Sequence, residues 1–179
     1  MVTIISGSNR KGSECYLFAR TIKEIMSSKT DEEVQLLSLE KIPHDWFFSK
    51  MYDKGSQAES ITKVQDEYMI PADKFFFILP EYNGSMPGSL KMFLDALSVR
   101  NIKETFKNKK AAVMGVASGR AGNLLGLDHL VAVLNHLGVI THPKRLPVSK
   151  IHSLIQDDKV TDEKTLETME GHVDAFLAF

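Results

Sequence analysis

Small polar residues and one arginine follow the first apolar segment of the chain. Val2-Thr3-Ile4-Ile5 is followed by Ser6-Gly7-Ser8-Asn9-Arg10-Lys11-Gly12-Ser13, and apolar residues at helical spacing come next. The backbone N–H groups of this loop therefore lie at a helix N-terminus, where the helix dipole favours an anion. Ser8 and Ser13 add hydroxyl donors, and the Arg10 guanidinium suits phosphate. We predict a phosphate site here; a polar turn that only starts a helix is the alternative.

The glycines of this first loop match nucleotide-binding motifs only in part. Gly7 and Gly12 have the spacing of a P-loop, but Ser13 stands where that motif requires lysine. No later Asp is placed to hold magnesium, and the three spaced glycines of the dinucleotide fingerprint are absent. A nucleoside triphosphatase and a Rossmann NAD-binding domain are both disfavoured.

A second loop follows the apolar run Phe75-Phe76-Phe77-Ile78-Leu79. It reads Pro80-Glu81-Tyr82-Asn83-Gly84-Ser85-Met86-Pro87-Gly88, and its proline and glycine residues fix a shape that a plain strand-to-helix turn does not need. Tyr82 offers a flat apolar face, and backbone N–H groups here can bond the polar edge of a planar ring. The alternative is that Pro and Gly only separate a strand from a helix and that Tyr82 is a core residue.

A third loop, Ser118-Gly119-Arg120-Ala121-Gly122, follows the apolar segment 111–117. Small residues allow the backbone to approach the edge of a ligand closely. A glycine-containing turn alone is weak evidence, but three such loops after three strands of one sheet are not easily accidental.

Strand patterns alternate with helical patterns along the whole chain. We predict five strands, at about 2–5, 34–39, 75–79, 111–117 and 139–141, and five helices, including one at about 58–69 and a terminal one marked by Leu166, Met169, Val173, Phe176 and Leu177. This alternation predicts an α/β fold with a doubly wound parallel sheet, in a single domain spanning 1–179. Ligands of such sheets bind outside the carboxyl ends of the strands, where the three loops should meet.

Composition narrows the range of partners. The chain has 179 residues, 43% hydrophobic and 25% charged, with a formal net charge of −1. It therefore has no global excess of basic residues for nucleic acid or an anionic membrane. Its single cysteine excludes an internal disulfide and a cysteine zinc cluster. No apolar run approaches the roughly 18 residues that span a bilayer, and no signal peptide is evident, so the reducing cytoplasm is the expected compartment.

Four further features of the sequence bear on possible sites. The helix around 124–137 has more apolar surface than one side needs, which predicts a protein partner. Cys15 near a helix N-terminus has either a lowered thiol pKa or a place in the core. The histidines show no convincing third ligand, so we expect no metal site. The aromatic segment 42–55 matches no motif that indicates a substrate.

The loops together resemble a known family. Gly7-Ser8-Asn9-Arg10 with Ser13, and Pro80-Glu81-Tyr82-Asn83-Gly84-Ser85 running into Pro87-Gly88-Ser89-Leu90-Lys91, resemble the NADPH-dependent FMN reductase family over nearly the whole chain. That family includes reductases of quinones, azo dyes and chromate. The resemblance implies a flavodoxin-like five-stranded sheet of order 2-1-3-4-5 with helices on both faces, and a homodimer or homotetramer. Met92 and Ala121 depart from residues that are common in the family.

The resemblance also implies roles for individual residues. It places the FMN phosphate at the first loop and the ribityl chain and ring at the other two. The implied cofactor-binding residues are Ser8, Arg10, Ser13, Pro80, Glu81, Tyr82, Asn83, Gly84, Ser118, Gly119 and Arg120.

The predicted reaction needs no catalytic side chain. Hydride passes from NADPH or NADH to flavin N5, so the cofactor carries the chemistry, with Arg120 as a candidate to stabilise charge near the reduced ring. The electrons then pass to a quinone-like, azo or other small acceptor, or leave as reduced FMN. The alternatives are an electron carrier resembling flavodoxin, although such carriers are usually strongly acidic, and a non-enzymatic flavin-binding sensor.

Overall fold

The computed structural model describes residues 1–179, which form a parallel sheet of strand order β2-β1-β3-β4-β5. This order confirms the predicted flavodoxin-like fold. Neighbouring strands are parallel throughout this path. The strands are β1 (Val2–Ser6), β2 (Val34–Ser38), β3 (Lys74–Pro80), β4 (Lys110–Val116) and β5 (Ile140–Thr141).

The outer strand beside β4 is split in two. β5 pairs with Lys110 and Ala111, and a second piece, β6 (Leu146–Val148), pairs with the distal end of β4. The sequence pattern predicts only the first piece, as a strand at 139–141, and that prediction was incomplete. Pro143 lies between the pieces and has no N–H group to donate, so the ladder is interrupted there.

Helices cover both faces of the sheet. They are α1 (Glu14–Ser27), α2 (Glu59–Val64) with a π-helical continuation (Gln65–Met69), α3 (Gly88–Leu97), α4 (Ile102–Phe106), α5 (Leu124–His136) and α6 (Glu163–Ala178). The sequence pattern did not predict α4, a 3-10 turn (Ile151–Ser153), or the hairpin of β7 (Ile155–Gln156) and β8 (Lys159–Val160). No helix is both long enough and apolar enough to cross a membrane.

The central strand β3 contributes to two separate cores. Phe75, Phe77 and Leu79 pack in a cluster with α2, α3 and α5, whereas Phe76 and Ile78 pack with α1 and α6. Successive side chains of a strand point to opposite faces, so a continuous apolar run is what a strand covered on both sides requires. This packing fixes the carboxyl end of β3, and with it the second loop.

Candidate active site

The three loops meet at the carboxyl edge of the sheet around a cavity of about 160 Å³. β1, β3 and β4 are adjacent and parallel, so the loops that follow them emerge side by side. The predicted residues that line the cavity are Arg10, Ser13, Pro80, Glu81, Tyr82, Ser118 and Gly119. Ser8, Asn83, Gly84 and Arg120 do not line it.

The first loop presents unused hydrogen-bond donors to the cavity. Ser13 is the N-cap of α1, but its hydroxyl makes no capping hydrogen bond. The N–H groups of Glu14 and Cys15, in the first turn of α1, have no acceptor in the chain. The N-terminus of α1 therefore offers both uncommitted donors and the positive end of a helix dipole.

Ser8 lies behind this surface. It is only 1% exposed, and its Oγ accepts a hydrogen bond from the N–H of Arg10 at 3.2 Å. Its hydroxyl is also 2.7 Å from the hydroxyl of Tyr82. Ser8 therefore holds the first loop in shape and joins it to the second.

Arg10 is already paired with a carboxylate. Its Nη2 is 3.0 Å from Oε2 of Glu14, one helical turn further on, and the Arg10 side chain is 59% exposed. The other oxygen of Glu14 lies 3.9 Å from Nδ1 of His152. Glu14 and His152 both line the cavity, so the guanidinium shares it with a carboxylate and an imidazole.

The second loop is a tight turn with two left-handed residues. The backbone N–H groups of Tyr82 and Ser85 each donate to the other residue's carbonyl, at 3.0 and 3.1 Å. Asn83 (φ 52°) and Gly84 (φ 72°) sit between them, and their N–H groups have no acceptor in the chain. The side chain of Ser85 is anchored to Nδ1 of His129 on α5 at 2.7 Å. The turn is thus held at its base and leaves two donors free.

The third loop is supported by the segment after β6. The carbonyls of Ala117 and Gly119 accept hydrogen bonds from the N–H groups of Ile151 and Lys150, both at 3.3 Å. The N–H groups of Ser118 and Gly119 have no acceptor in the chain. Arg120 is exposed and forms no ion pair.

The sequence pattern missed several residues that line the cavity, among them Glu14, Ile151 and His152. Ile151 and His152 reach it only because β6 pairs with β4, and no local pattern near them indicates that pairing. Glu14 was visible as an acidic residue four positions after Arg10, the spacing at which helical ion pairs form.

Cys15 also lines the cavity, but as a buried group. Its side chain is 1% exposed and donates to the carbonyl of Ile78 at 3.2 Å. Burial raises the pKa of the Cys15 thiol to about 12, so a lowered thiol pKa is wrong for this helix N-terminus. Cys15 is a core residue and not a reactive thiolate.

The arrangement suits a ligand with a phosphate at one end and a planar polar ring at the other. Ser13, Arg10 and the first turn of α1 are hydroxyl, guanidinium and N–H donors, the groups that suit a phosphate. The free N–H groups of Ser118 and Gly119 in the third loop, which line the cavity, can bond the edge of a ring. These residues fit FMN, and the cavity holds no activated nucleophile of its own.

Comparison with known proteins gives the family. The model of the NADPH-dependent FMN reductase family matches residues 1–153. The chain belongs to this family. An NAD(P)H-dependent FMN reductase of Pseudomonas aeruginosa is 30% identical, with 96% of this chain and 90% of the relative covered. A quinone reductase of Pseudomonas putida is 26% identical over 99% of this chain and 93% of the relative.

Solved structures agree with this FMN reductase family assignment. The flavoenzyme NAD(P)H:acceptor oxidoreductase of Paracoccus denitrificans superimposes with a TM-score of 0.79 and 28% identity, covering 99% of this chain and 94% of that one. Family membership confirms the predictions of an oxidoreductase, of FMN as cofactor and of NAD(P)H as electron donor. It disfavours the electron-carrier and sensor alternatives, because the matched family model and both of these curated relatives are named as reductases.

Proposed function

We propose that this chain binds FMN at the three-loop cavity and uses it to pass electrons from NADH or NADPH to a small quinone-like acceptor. The observation that carries this proposal is the set of uncommitted donors around one cavity in a chain of the FMN reductase family. Such donors bond water when no ligand is present, and their convergence on one cavity makes them available to a single polar ligand.

The first loop would hold the phosphate. The Ser13 hydroxyl, the N–H groups of Glu14 and Cys15 and the guanidinium of Arg10 supply neutral and charge-assisted donors. Ser8 would not contact the phosphate directly. Its hydroxyl positions the loop, because it hydrogen-bonds the N–H of Arg10 and the hydroxyl of Tyr82.

The second and third loops would hold the ring. Pro80, Glu81 and Tyr82 of the second loop line the same cavity as Ser118 and Gly119 of the third. The free N–H groups of Ser118 and Gly119, which line the cavity, would bond the polar ring edge, and those of Asn83 and Gly84 lie outside it on the turn after Tyr82. Exposed Arg120, next to Gly119 in the third loop, would add a positive charge near that edge, where negative charge builds up on reduction.

Bound FMN supplies the hydride and electron chemistry, so the chain needs no nucleophile or general base in the cavity. The work of these residues is to hold the cofactor in one orientation and to leave one ring face open to the donor and then to the acceptor. Because both use the same face, we expect ping-pong kinetics.

The acceptor class rests on the relatives. Quinone reductases of Pseudomonas putida and Escherichia coli and an azoreductase of a Bacillus strain are among them. A quinone is the first acceptor to test; an azo dye or free flavin would be other outcomes. We place the reaction in the cytoplasm, because pyridine nucleotides and the unpaired Cys15 suit a reducing compartment.

We also propose that the chain works as a homodimer or homotetramer. Leu124 and Leu125 at the start of α5 are 47% and 62% exposed, and Phe47 in the 42–55 segment is 75% exposed. Large apolar side chains left in water mark a surface for association.

Steady-state kinetics with a benzoquinone acceptor tests the proposed function. Parallel lines in double-reciprocal plots, with turnover that depends on added FMN or on FMN already bound, are the expected result. Turnover without flavin, or flavin binding without quinone reduction, would contradict it.

A further inference from the structure

The carboxylate of Glu14 forms an ion pair with the guanidinium of Arg10, the group proposed to bind the FMN phosphate. Glu14 Oε2 is 3.0 Å from Arg10 Nη2, and Glu14 lines the same cavity as Ser13 and Arg10. The side chain of Glu14 is 30% exposed, so it is partly sheltered from solvent. A phosphate that binds Arg10 must displace this carboxylate or lie beside it.

The cavity holds further negative charge. Glu81 also lines it, together with the titratable side chains of Cys15, Tyr82 and His152. A phosphate brought to Ser13 and Arg10 would share the cavity with the Glu14 carboxylate, which already pairs with the guanidinium.

The geometry gives Glu14 a second partner. Its Oε1 lies 3.9 Å from Nδ1 of His152, on the 3-10 turn that supports the third loop. Glu14 therefore stands between two nitrogen-bearing side chains and can release Arg10 while it stays beside His152.

We propose that Glu14 is a specificity-determining residue that competes with the flavin phosphate for Arg10. This proposal rests on the proposed function, because it takes Arg10 as a phosphate ligand. The competition lowers the affinity for FMN but not for riboflavin, which has no phosphate. Glu14 thus reduces the ratio of FMN affinity to riboflavin affinity, and the weaker binding allows FMN to exchange.

Fluorescence-quenching titrations of the full chain test this proposal. Glu14→Gln removes the charge but keeps the size and the polar character of the side chain. We expect FMN to bind about three- to tenfold more tightly to Glu14→Gln, the scale of one partly exposed ion pair. Riboflavin affinity should change by less than about twofold, since the change acts through the phosphate.

Two matched variants complete the test. Glu24→Gln removes an exposed carboxylate from the other end of α1 and should leave FMN affinity unchanged. In the Arg10→Ala background the gain from Glu14→Gln should shrink, because no guanidinium remains to be released. If Glu14→Gln increases FMN affinity by the same factor in the Arg10→Ala background, Glu14 acts by repelling the phosphate and not by competing for Arg10. That result would overturn the proposal.

The remaining outcomes separate this inference from the proposed function. Unchanged or weaker FMN binding by Glu14→Gln, or an equal gain for riboflavin, would overturn the role of Glu14 alone. Absence of FMN binding by the wild-type chain would overturn the proposed function and the inference together.

Discussion

The hydroxyl groups of Ser8 and Tyr82 lie 2.7 Å apart, although 74 positions separate the two residues in the chain. Ser8 lies two residues after the end of β1, and Tyr82 begins the turn after β3. This hydrogen bond joins the loop proposed for the phosphate to the loop proposed for the ring. The two ends of the cavity are therefore held in a fixed relation by the chain itself.

Tyr82→Phe should weaken that link. The substitution removes one partner of the buried Ser8 hydroxyl, so the free energy of unfolding should fall by about 1 kcal/mol, and FMN should bind less tightly. Urea unfolding and FMN titration measure the two effects. Tyr52→Phe is the control, because Tyr52 is 59% exposed. Equal behaviour of the two variants would contradict a structural role for the hydrogen bond.

Arg10→Ala should weaken FMN binding by about 1.5–3 kcal/mol, the scale of a hydrogen bond to a charged group. Lys11→Ala removes the neighbouring exposed positive charge, which does not line the cavity. If long-range charge alone attracts the phosphate, both variants should lose similar affinity. A loss confined to Arg10→Ala, measured by fluorescence quenching, is the expected result.

Gly122→Ala should destabilise the third loop. Gly122 has φ +59°, and a Cβ there would lie 2.8 Å from Cβ of Pro147. Left-handed strain and overpacking together should lower the free energy of unfolding by about 2–3 kcal/mol. Gly171→Ala, in α6, meets no atom within 4 Å and should stabilise the chain by about 0.5–1 kcal/mol. Urea denaturation that ranks the two variants in the opposite order would refute this account.

Buried His172 should make the chain sensitive to mild acid. Burial, with smaller effects from His142 and Lys144, lowers the pKa of His172 from 6.5 to about 4. Between these values the unfolded chain binds a proton that the folded chain does not. The free energy of unfolding should therefore fall as pH drops from about 6.5 to 4, by about 2 kcal/mol from this group.

His172→Phe tests the origin of that effect. Phe can keep the edge-on packing of His172 against Phe76, whose ring centroid is 5.5 Å away, but it does not titrate. Urea midpoints at pH 7 and 4.5 should differ less for this variant than for wild type. His136→Gln, an exposed control, should behave as wild type. If the urea midpoint changes equally between pH 7 and 4.5 in all three proteins, His172 is not the cause of the acid sensitivity.

Leu125→Glu should disrupt self-association. Leu125 is 62% exposed at the start of α5, and a charge there would be costly to bury against a second copy. Light scattering should report at least a dimer for wild type and a smaller species for the variant. Ile102→Glu, at an exposed apolar residue on α4, is the control. A monomeric wild type would contradict the proposed assembly.

The sequence predicts the centre of the sheet better than its edge. The run 75–79 indicates a strand buried on both faces, and the structure confirms it, because that pattern reports burial directly. β6 was missed because it is three residues long and has Pro147 at its centre. Only pairing with β4 makes it a strand, and that pairing is tertiary.

The same limit applies to the candidate site. The loop positions follow from strand order, so Arg10, Ser13, Tyr82 and Gly119 could be placed at one cavity from sequence. Residue type did not indicate that Ser8 is buried against Tyr82, because a serine in a polar loop has the same pattern whether it faces ligand or protein. His152 could not be placed at the cavity from sequence, because its position depends on how the last third of the chain folds.

Anaerobic mixing of the FMN-loaded protein with NADH or NADPH tests the central claim most directly. The oxidised flavin band near about 450 nm is a property of the cofactor and reports its reduction. We predict rapid bleaching by at least one of the two nucleotides, followed by recovery when a quinone is added. Flavin that stays bound and oxidised in the presence of both nucleotides would contradict the assignment of this chain as an NAD(P)H-dependent flavin reductase.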